Sequence, residues 1–204
     1  MDIQAYALVA AISIVVIGGY ISILMRRGKR RDEFFKNAGF HSPDHARQKN
    51  IIEVVNIKSR GAVSLWFGSK VYVSSDACGD FIVCDLVASV GVARYAGFSK
   101  ITVLGFYGDI GVGSSFLLRK AHPMETPMEL RGALSLGRKW YVWCSGMQDE
   151  QVDELVERVE AFGSAAIVRK NGSVLSLYFL NQYLGEKEIE EIMPEWRAFC
   201  QSYL

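Results

Sequence analysis

The chain has 204 residues, half of them hydrophobic, and a formal net charge of +1. That length holds one domain, or one with an appendage, and the apolar content is enough to build a core. A balance so close to neutral implies by itself no nucleic-acid or membrane preference.

The balance is uneven along the chain. Arg26, Arg27, Lys29, Arg30 and Arg31 carry five of the 23 positive charges, and the remaining 18 face 22 acids. The first predicted element lies directly before that cluster. "IQAYALVAAISIVVIGGYISILM", Ile3 to Met25, contains no charged residue and no proline. As a helix it would be roughly 34 Å long, against a hydrocarbon core of about 30 Å. Residues 1–25 are therefore expected to form a transmembrane helix with a very short outer N-terminus. A cleavable signal peptide would carry its basic residues before the apolar run, and here they follow it.

The five basic residues are the predicted site residues. Basic residues beside a span stay in the cytoplasm, so the N-terminus is expected outside and the rest of the chain inside, after a single crossing. At that position they would also meet anionic lipid headgroups, at about 1 kcal/mol each. Ala7 with Ala11, and Gly18 with Ser22, are pairs of small residues through which a partner helix or a second copy would pack. The expected partners are the bilayer, anionic headgroups, and a protein partner or homo-oligomer; nucleic acid is not expected. In a reducing cytoplasm Cys78, Cys84, Cys144 and Cys200 are expected to be thiols.

Residues 26–49 read as a basic juxtamembrane segment and linker. Asp32 to Lys36 would extend the helix, carrying Phe34 and Phe35, with Gly39 as its stop. "HSPDHARQKN" reads as loop or the first turn of a helix. His41, Asp44 and His45 would share a face if helical, but no further ligand lies near them, so they read as solvated residues and no metal site is expected.

Residues 50–204 read as a cytoplasmic α+β domain, with a change of pattern at 121–138. From residue 50 the apolar residues stop following a helical period. "AVSLWF" and "KVYVSS" read as a hairpin turning at Gly68-Ser69. Residues 81–88 read as a strand, with a helix over "CDLVASVGVARYAG" as the weaker alternative, and "KITVLGFY" is the clearest strand. Together they form an antiparallel β-meander.

"FYGDIGVGSSFLLRK" raises the question of a phosphate loop. Gly108 and Gly113 have P-loop separation and Ser115 stands at the hydroxyl position, but Ser114 replaces the lysine. No helical period comes after it, so no helix N-terminus would face an anion. The stretch reads as a hairpin joining "KITVLGFY" to "SSFLLRK", with Gly111 and Gly113 in the turn. "AHPMETPMELRGALSLGRK" reads as a connection, with a short helix over 127–130.

The remainder reads as a β-α-β-β-α unit. "KWYVWCS" is a strand. "DEQVDELVERVEAFGS" is a helix capped by Asp149, with Val152, Leu155, Val156, Val159 and Phe162 on one face and Gly163 as its stop. "AAIVRKNGSVLSLYFL" is a hairpin turning at Asn171-Gly172. "EKEIEEIMPEWRAFCQSYL" is a helix that Pro194 should kink or divide. Its acids Glu186, Glu188, Glu190 and Glu191 suit the helix dipole and are assigned no catalytic work.

The stretches "RRDEFFKNAGF", "GDFIVCDL" ahead of "KITVLGF", "SSFLLRK", and "KWYVWCS" followed by "VRKNGSVLSLYF" resemble a diffuse group of small bacterial membrane-anchored proteins of uncharacterised activity. The resemblance implies an inner-membrane location and carries over no functional residue.

Candidate catalytic groups are sparse. Cys78 with His122 would form a dyad if the fold brought them together. Asp76, Asp80, Asp85 and Asp109 would bind a cation if clustered, but acidic turn residues explain them. No catalytic residue, metal or cofactor is therefore expected. The leading reading is a membrane-anchored binding or scaffolding domain in an assembly; the alternative is a membrane-tethered enzyme of unknown reaction.

Overall fold

The structure is a computed structural model. It describes residues 3–55, 65–92, 95–110, 115–120, 134–136, 140–144, 147–163, 167–180 and 182–202; side chains at 3–12, 20, 21, 24, 65–69, 88–92, 95–99 and 134–136 are not described. The chain divides into two compact units, Met1–Phe40 and His41–Leu204.

The first unit is one helix, α1 (Ile3–Asn37). It ends as its sequence suggests. Gly39 adopts φ 81, Phe40 N donates to Phe35 O at 2.8 Å, and Gly39 N donates to Lys36 O at 3.2 Å. That is the Schellman pattern, in which two late carbonyls gain donors. The rings of Phe35 and Phe40 meet edge to face at 5.5 Å and complete it. Among the described residues no helix is long and apolar enough to cross a membrane. Much of the expected span, at 3–12, 20, 21 and 24, lies outside the described side chains.

The second unit is mixed α and β. Its elements are α2 (His45–Val55), β1 (Leu65–Ser75), β2 (Gly79–Val92), β3 (Tyr95–Gly108), β4 (Phe116–Lys120), β5 (Leu134–Leu136), β6 (Trp140–Cys144), α3 (Asp149–Glu160), β7 (Ile167–Asn171), β8 (Val174–Leu180) and α4 (Glu186–Gln201). The strands form one antiparallel sheet in the order β1-β2-β3-β8-β7-β4-β6-β5. The meander β1-β2-β3 and the β6-α3-β7-β8-α4 unit both occur as the sequence suggested.

Strand alternation gives the sheet two apolar faces. Val71, Val73, Ile82, Cys84, Leu86, Ile101, Val103, Ile167 and Tyr178 point to one, and α2 covers them with Ile51, Ile52 and Val55. Tyr178 Oη also donates to Val55 O at 2.7 Å, which ties the end of α2 to β8. Phe81 and Phe106 point to the other face, where they meet at 4.7 Å. Arg197 of α4 lies over Phe81, and Glu160 of α3 accepts from Trp140 Nε1 at 3.3 Å. Phe162, just after α3, makes ring contacts with Trp196 and Phe199 of α4.

Several expectations are corrected. Helix persists beyond residue 50: α2 starts where Asp44 Oδ1 accepts from Arg47 N at 2.8 Å and runs to Val55. Gly68-Ser69 is not a hairpin turn but lies in one continuous β1. Phe67 pairs with Val87 and Lys70 with Asp85, so β1 advances three residues against two on β2. This is a bulge, which absorbs one extra residue without reversing the strand. The expected 81–88 strand extends to Gly79–Val92, because β1 and β3 both pair along it.

The glycine-rich stretch does not join neighbouring strands. β3 and β4 are separated in the sheet by β8 and β7, so their connection has to bridge an inserted hairpin. The element after it is strand β4, not a helix. Residues 111–114, with Gly111, Gly113 and Ser114, lie outside the described residues, as do His122 and the expected 127–130 helix. Part of the expected connection forms edge strand β5, paired to β6.

Smaller shifts concern turns and caps. Asn171 pairs with Val174, so the β7–β8 turn is Gly172-Ser173, with Gly172 at φ 56. Only glycine takes that angle without steric cost. The N-cap of α3 is Gln148, one residue before Asp149, and Gln148 N donates to Gln151 Oε1 at 3.0 Å. Pro194 does not divide the last helix. It stands exposed inside α4, which runs unbroken from Glu186 to Gln201.

Candidate functional site

The basic cluster sits on α1. Arg26, Arg27, Lys29 and Arg30 are exposed or nearly so. Arg31 is half-buried, with its guanidinium carbon 5.2 Å from the centre of the Phe35 ring. At about 100° and 1.5 Å per residue, the five charges fan over roughly 200° of the helix within about 8 Å of its length. They cover a little more than half of the helix circumference.

A second collection of polar groups forms at one end of the sheet. The β1–β2 turn is built by Asp76, whose Oδ1 accepts from Cys78 N at 2.8 Å and Gly79 N at 3.2 Å. An aspartate that bonds its own following backbone replaces a regular turn hydrogen bond. Asp76 N donates to Gly79 O at 2.9 Å. The tip, the end of β3 and the β7–β8 turn enclose an open depression of about 470 Å³, lined by Asp76, Cys78, Asp80, Tyr107, Asp109 and Ser173 among others.

Both carboxylates of this tip are paired with arginines. Asp80 Oδ2 accepts from Arg47 Nη2 of α2 at 2.6 Å, and its Oδ1 accepts from Ser75 Oγ. Asp76 Oδ2 accepts from Arg197 Nη1 of α4 at 3.1 Å. The two helices cover opposite faces, so the tip is strapped from both sides. Neither arginine stood out in the sequence, because they lie 33 and 121 residues from their partners.

The four acids considered together are thus split. Asp85 lies elsewhere, buried in the sheet, where its Oδ1 accepts from Thr102 Oγ1 at 2.9 Å. Thr102 Oγ1 in turn accepts from Leu184 N at 3.1 Å. Among the described residues no group of three or more histidine, cysteine, aspartate or glutamate side chains is placed to hold a metal ion. Asp44 serves as the helix cap. His41 pairs its backbone with Val73, donating at 2.9 Å and accepting at 2.8 Å.

The cysteines divide by burial. Cys78 and Cys144 are half-buried; Cys84 and Cys200 are buried. Burial pushes both buried thiols well above their ordinary range, reinforced for Cys84 by the nearby Asp85 charge and opposed for Cys200 by Arg197. A thiol held protonated is a poor nucleophile.

No family model matches the chain, and no curated protein matches it. Among solved structures it is similar to the crystal structure of the mycobacterial trehalose monomycolate transport factor A, TtfA. The identity is 13% over 85% of this chain and 92% of that chain, with a TM-score of 0.45. A likeness at that level carries no argument about function.

Proposed function

We propose that α1 crosses a bilayer once and holds residues 41–204 at the cytoplasmic face of the inner membrane. There they act as a binding or scaffolding domain within a membrane-associated assembly. One observation carries the anchor. Ile14, Val15, Val16 and Ile17 are 71%, 73%, 63% and 57% exposed. Four consecutive positions at about 100° each sweep the whole circumference of the helix. A helix that rests on protein shows one apolar face, whereas a helix apolar on every side calls for an apolar surrounding on every side. The uncharged run from Ile3 to Met25 supplies the length, and the basic cluster at 26–31 supplies the stop and the orientation.

Binding is favoured over catalysis by what the polar groups already do. The tip carboxylates hold arginines, Asp85 holds Thr102, and two of the thiols are kept protonated by burial. The test is fractionation of full-length protein under an alkaline carbonate wash. The wild type should stay with the membrane pellet, and Val15→Glu with Ile17→Glu should release most of it. Release of the wild type by the wash would overturn the anchor.

A further inference from the structure

Among the described residues, the two faces of the sheet are covered unequally. On one, α3 buries Val152, Leu155 and Val159, and α4 buries five side chains, Trp196 among them. On the other, α2 is 11 residues long and buries one, Val55, with Ile51 and Ile52 half-buried beside it. The sheet beneath α2 is nonetheless apolar. The row Val71–Cys84–Val103–Tyr178–Ile167 runs through the register from β1 to β7, and each of its members is buried. The segment 41–55 is tied in turn to β1, β2 and β8. His41 pairs its backbone with Val73 of the edge strand β1. Arg47 reaches Asp80 of β2 at 2.6 Å, and Val55 O accepts from Tyr178 Oη of β8 at 2.7 Å.

We infer that α2 is a latched cover: it leaves the sheet by local unfolding while the rest of the second unit stays folded, and the Arg47–Asp80 pair is its latch. The inference goes beyond the anchor and does not depend on it. An element opens alone when it makes few buried apolar contacts and its ties face water. α2 meets both conditions. The Arg47 and Asp80 side chains are 41% and 25% exposed, and ion pairs open to water hold weakly. Off the sheet, a helix of this length has little stability of its own, so release and unfolding of α2 are one event. α4 is held differently, by Trp196 and Phe199 stacked on each other and packed on Phe162. The sheet survives the event because its strands pair with one another, not through α2. Release uncovers an apolar surface, centred on Cys84 and Val103, that the closed form hides. α2 therefore keeps this face closed to other apolar surfaces until the latch is undone.

Two buried thiols report on the two faces separately. Cys84 lies in the apolar cluster beneath α2, and Cys200 belongs to α4. Each reacts only through an unfolding event, Cys84 when α2 leaves and Cys200 when α4 does. Full-length protein in phosphatidylcholine nanodiscs is treated with iodoacetamide under native conditions, and each cysteine is followed by mass spectrometry. In the wild type Cys84 should react about tenfold faster than Cys200, or more. Arg47→Gln should speed Cys84 about two- to fivefold and leave Cys200 unchanged. Adding Asp80→Asn to Arg47→Gln should change little further, because both remove the same pair. Asn50→Pro, in the middle of α2, breaks the helix itself and should speed Cys84 more than Arg47→Gln does, again with Cys200 unchanged. A Cys84 rate that Arg47→Gln leaves unmoved overturns the latch. Cys84 and Cys200 reacting at one rate in the wild type, or rising together in Asn50→Pro, would show that the face opens only by global unfolding and overturn the cover.

Discussion

Arg197 of α4 and Asp76 of the β1–β2 turn are 121 residues apart in sequence and 3.1 Å apart in the fold. The same guanidinium lies 4.2 Å from the centre of the Phe81 ring. One side chain therefore fixes a turn and packs the last helix onto the sheet. Both partners are about one-third exposed, so the ion pair itself is worth about 0.2–1 kcal/mol. The ring contact adds roughly 0.5–1 kcal/mol.

Arg197→Ala should accordingly lower stability by about 1–2 kcal/mol, read from the urea midpoint of the second unit. Arg197→Lys keeps the charge but loses the planar stacking, so it should recover only part of the loss. Full recovery by lysine would show that the ring contact contributes nothing.

Gly79 is a sharper test of the same turn. It sits at φ 150 and pairs with Gly108 across β2 and β3. A Cβ at Gly79 would collide with the carbonyl oxygen of Tyr107 and come within 3.0 Å of the Gly108 Cα. Two backbones approach where no side chain fits. Gly79→Ala should cost roughly 1–3 kcal/mol or more. Gly172→Ala meets nothing within 4 Å and carries only the positive-φ penalty, so it should cost less. Equal losses would count against the close approach at Gly79.

Stability should fall on the alkaline side. Burial raises Tyr178 to about 12, partly offset by hydrogen bonds from Ser176 and Arg169, whereas an unfolded tyrosine titrates near about 10. The folded state therefore holds its proton more tightly. That stabilisation is complete below about pH 10 and is lost as pH climbs through the folded value. The buried thiols Cys84 and Cys200 are raised as well, so the decline should begin at about pH 8.5, where unfolded thiols ionise. Tyr178→Phe should cost about 1 kcal/mol at neutral pH through the lost bond to Val55 O and should flatten the curve between about pH 10 and 12. An unchanged alkaline slope in that variant would contradict this assignment.

What the sequence revealed depended on range. "KITVLGFY", the α3 stripe and the Asn-Gly hairpin are local signals, and each element formed within a few residues of its expected place. Strand partners were not legible. The insertion of β8 and β7 between β3 and β4 depends on pairings such as Thr102 with Phe179, for which no neighbouring residue gives a cue. Gly68-Ser69 has the composition of a turn, but two residues that reverse a chain and two that bulge a strand read alike. The start of α2 was hidden because its first turns are polar and only its last residues are apolar. The straps on Asp76 and Asp80 were invisible for the same reason as the strand order.

The measurement closest to the central claim is labelling of the native thiols with a membrane-impermeant maleimide. Full-length protein is expressed in a bacterial cell, and intact spheroplasts are compared with inside-out membrane vesicles. Cys78 and Cys144 are half-buried and should react slowly but measurably, while Cys84 and Cys200 should react only after unfolding. Residues 41–204 on the cytoplasmic side predict labelling of Cys78 and Cys144 in inside-out vesicles and none in spheroplasts. Labelling in intact spheroplasts, or recovery of the protein in the soluble fraction, would contradict the account.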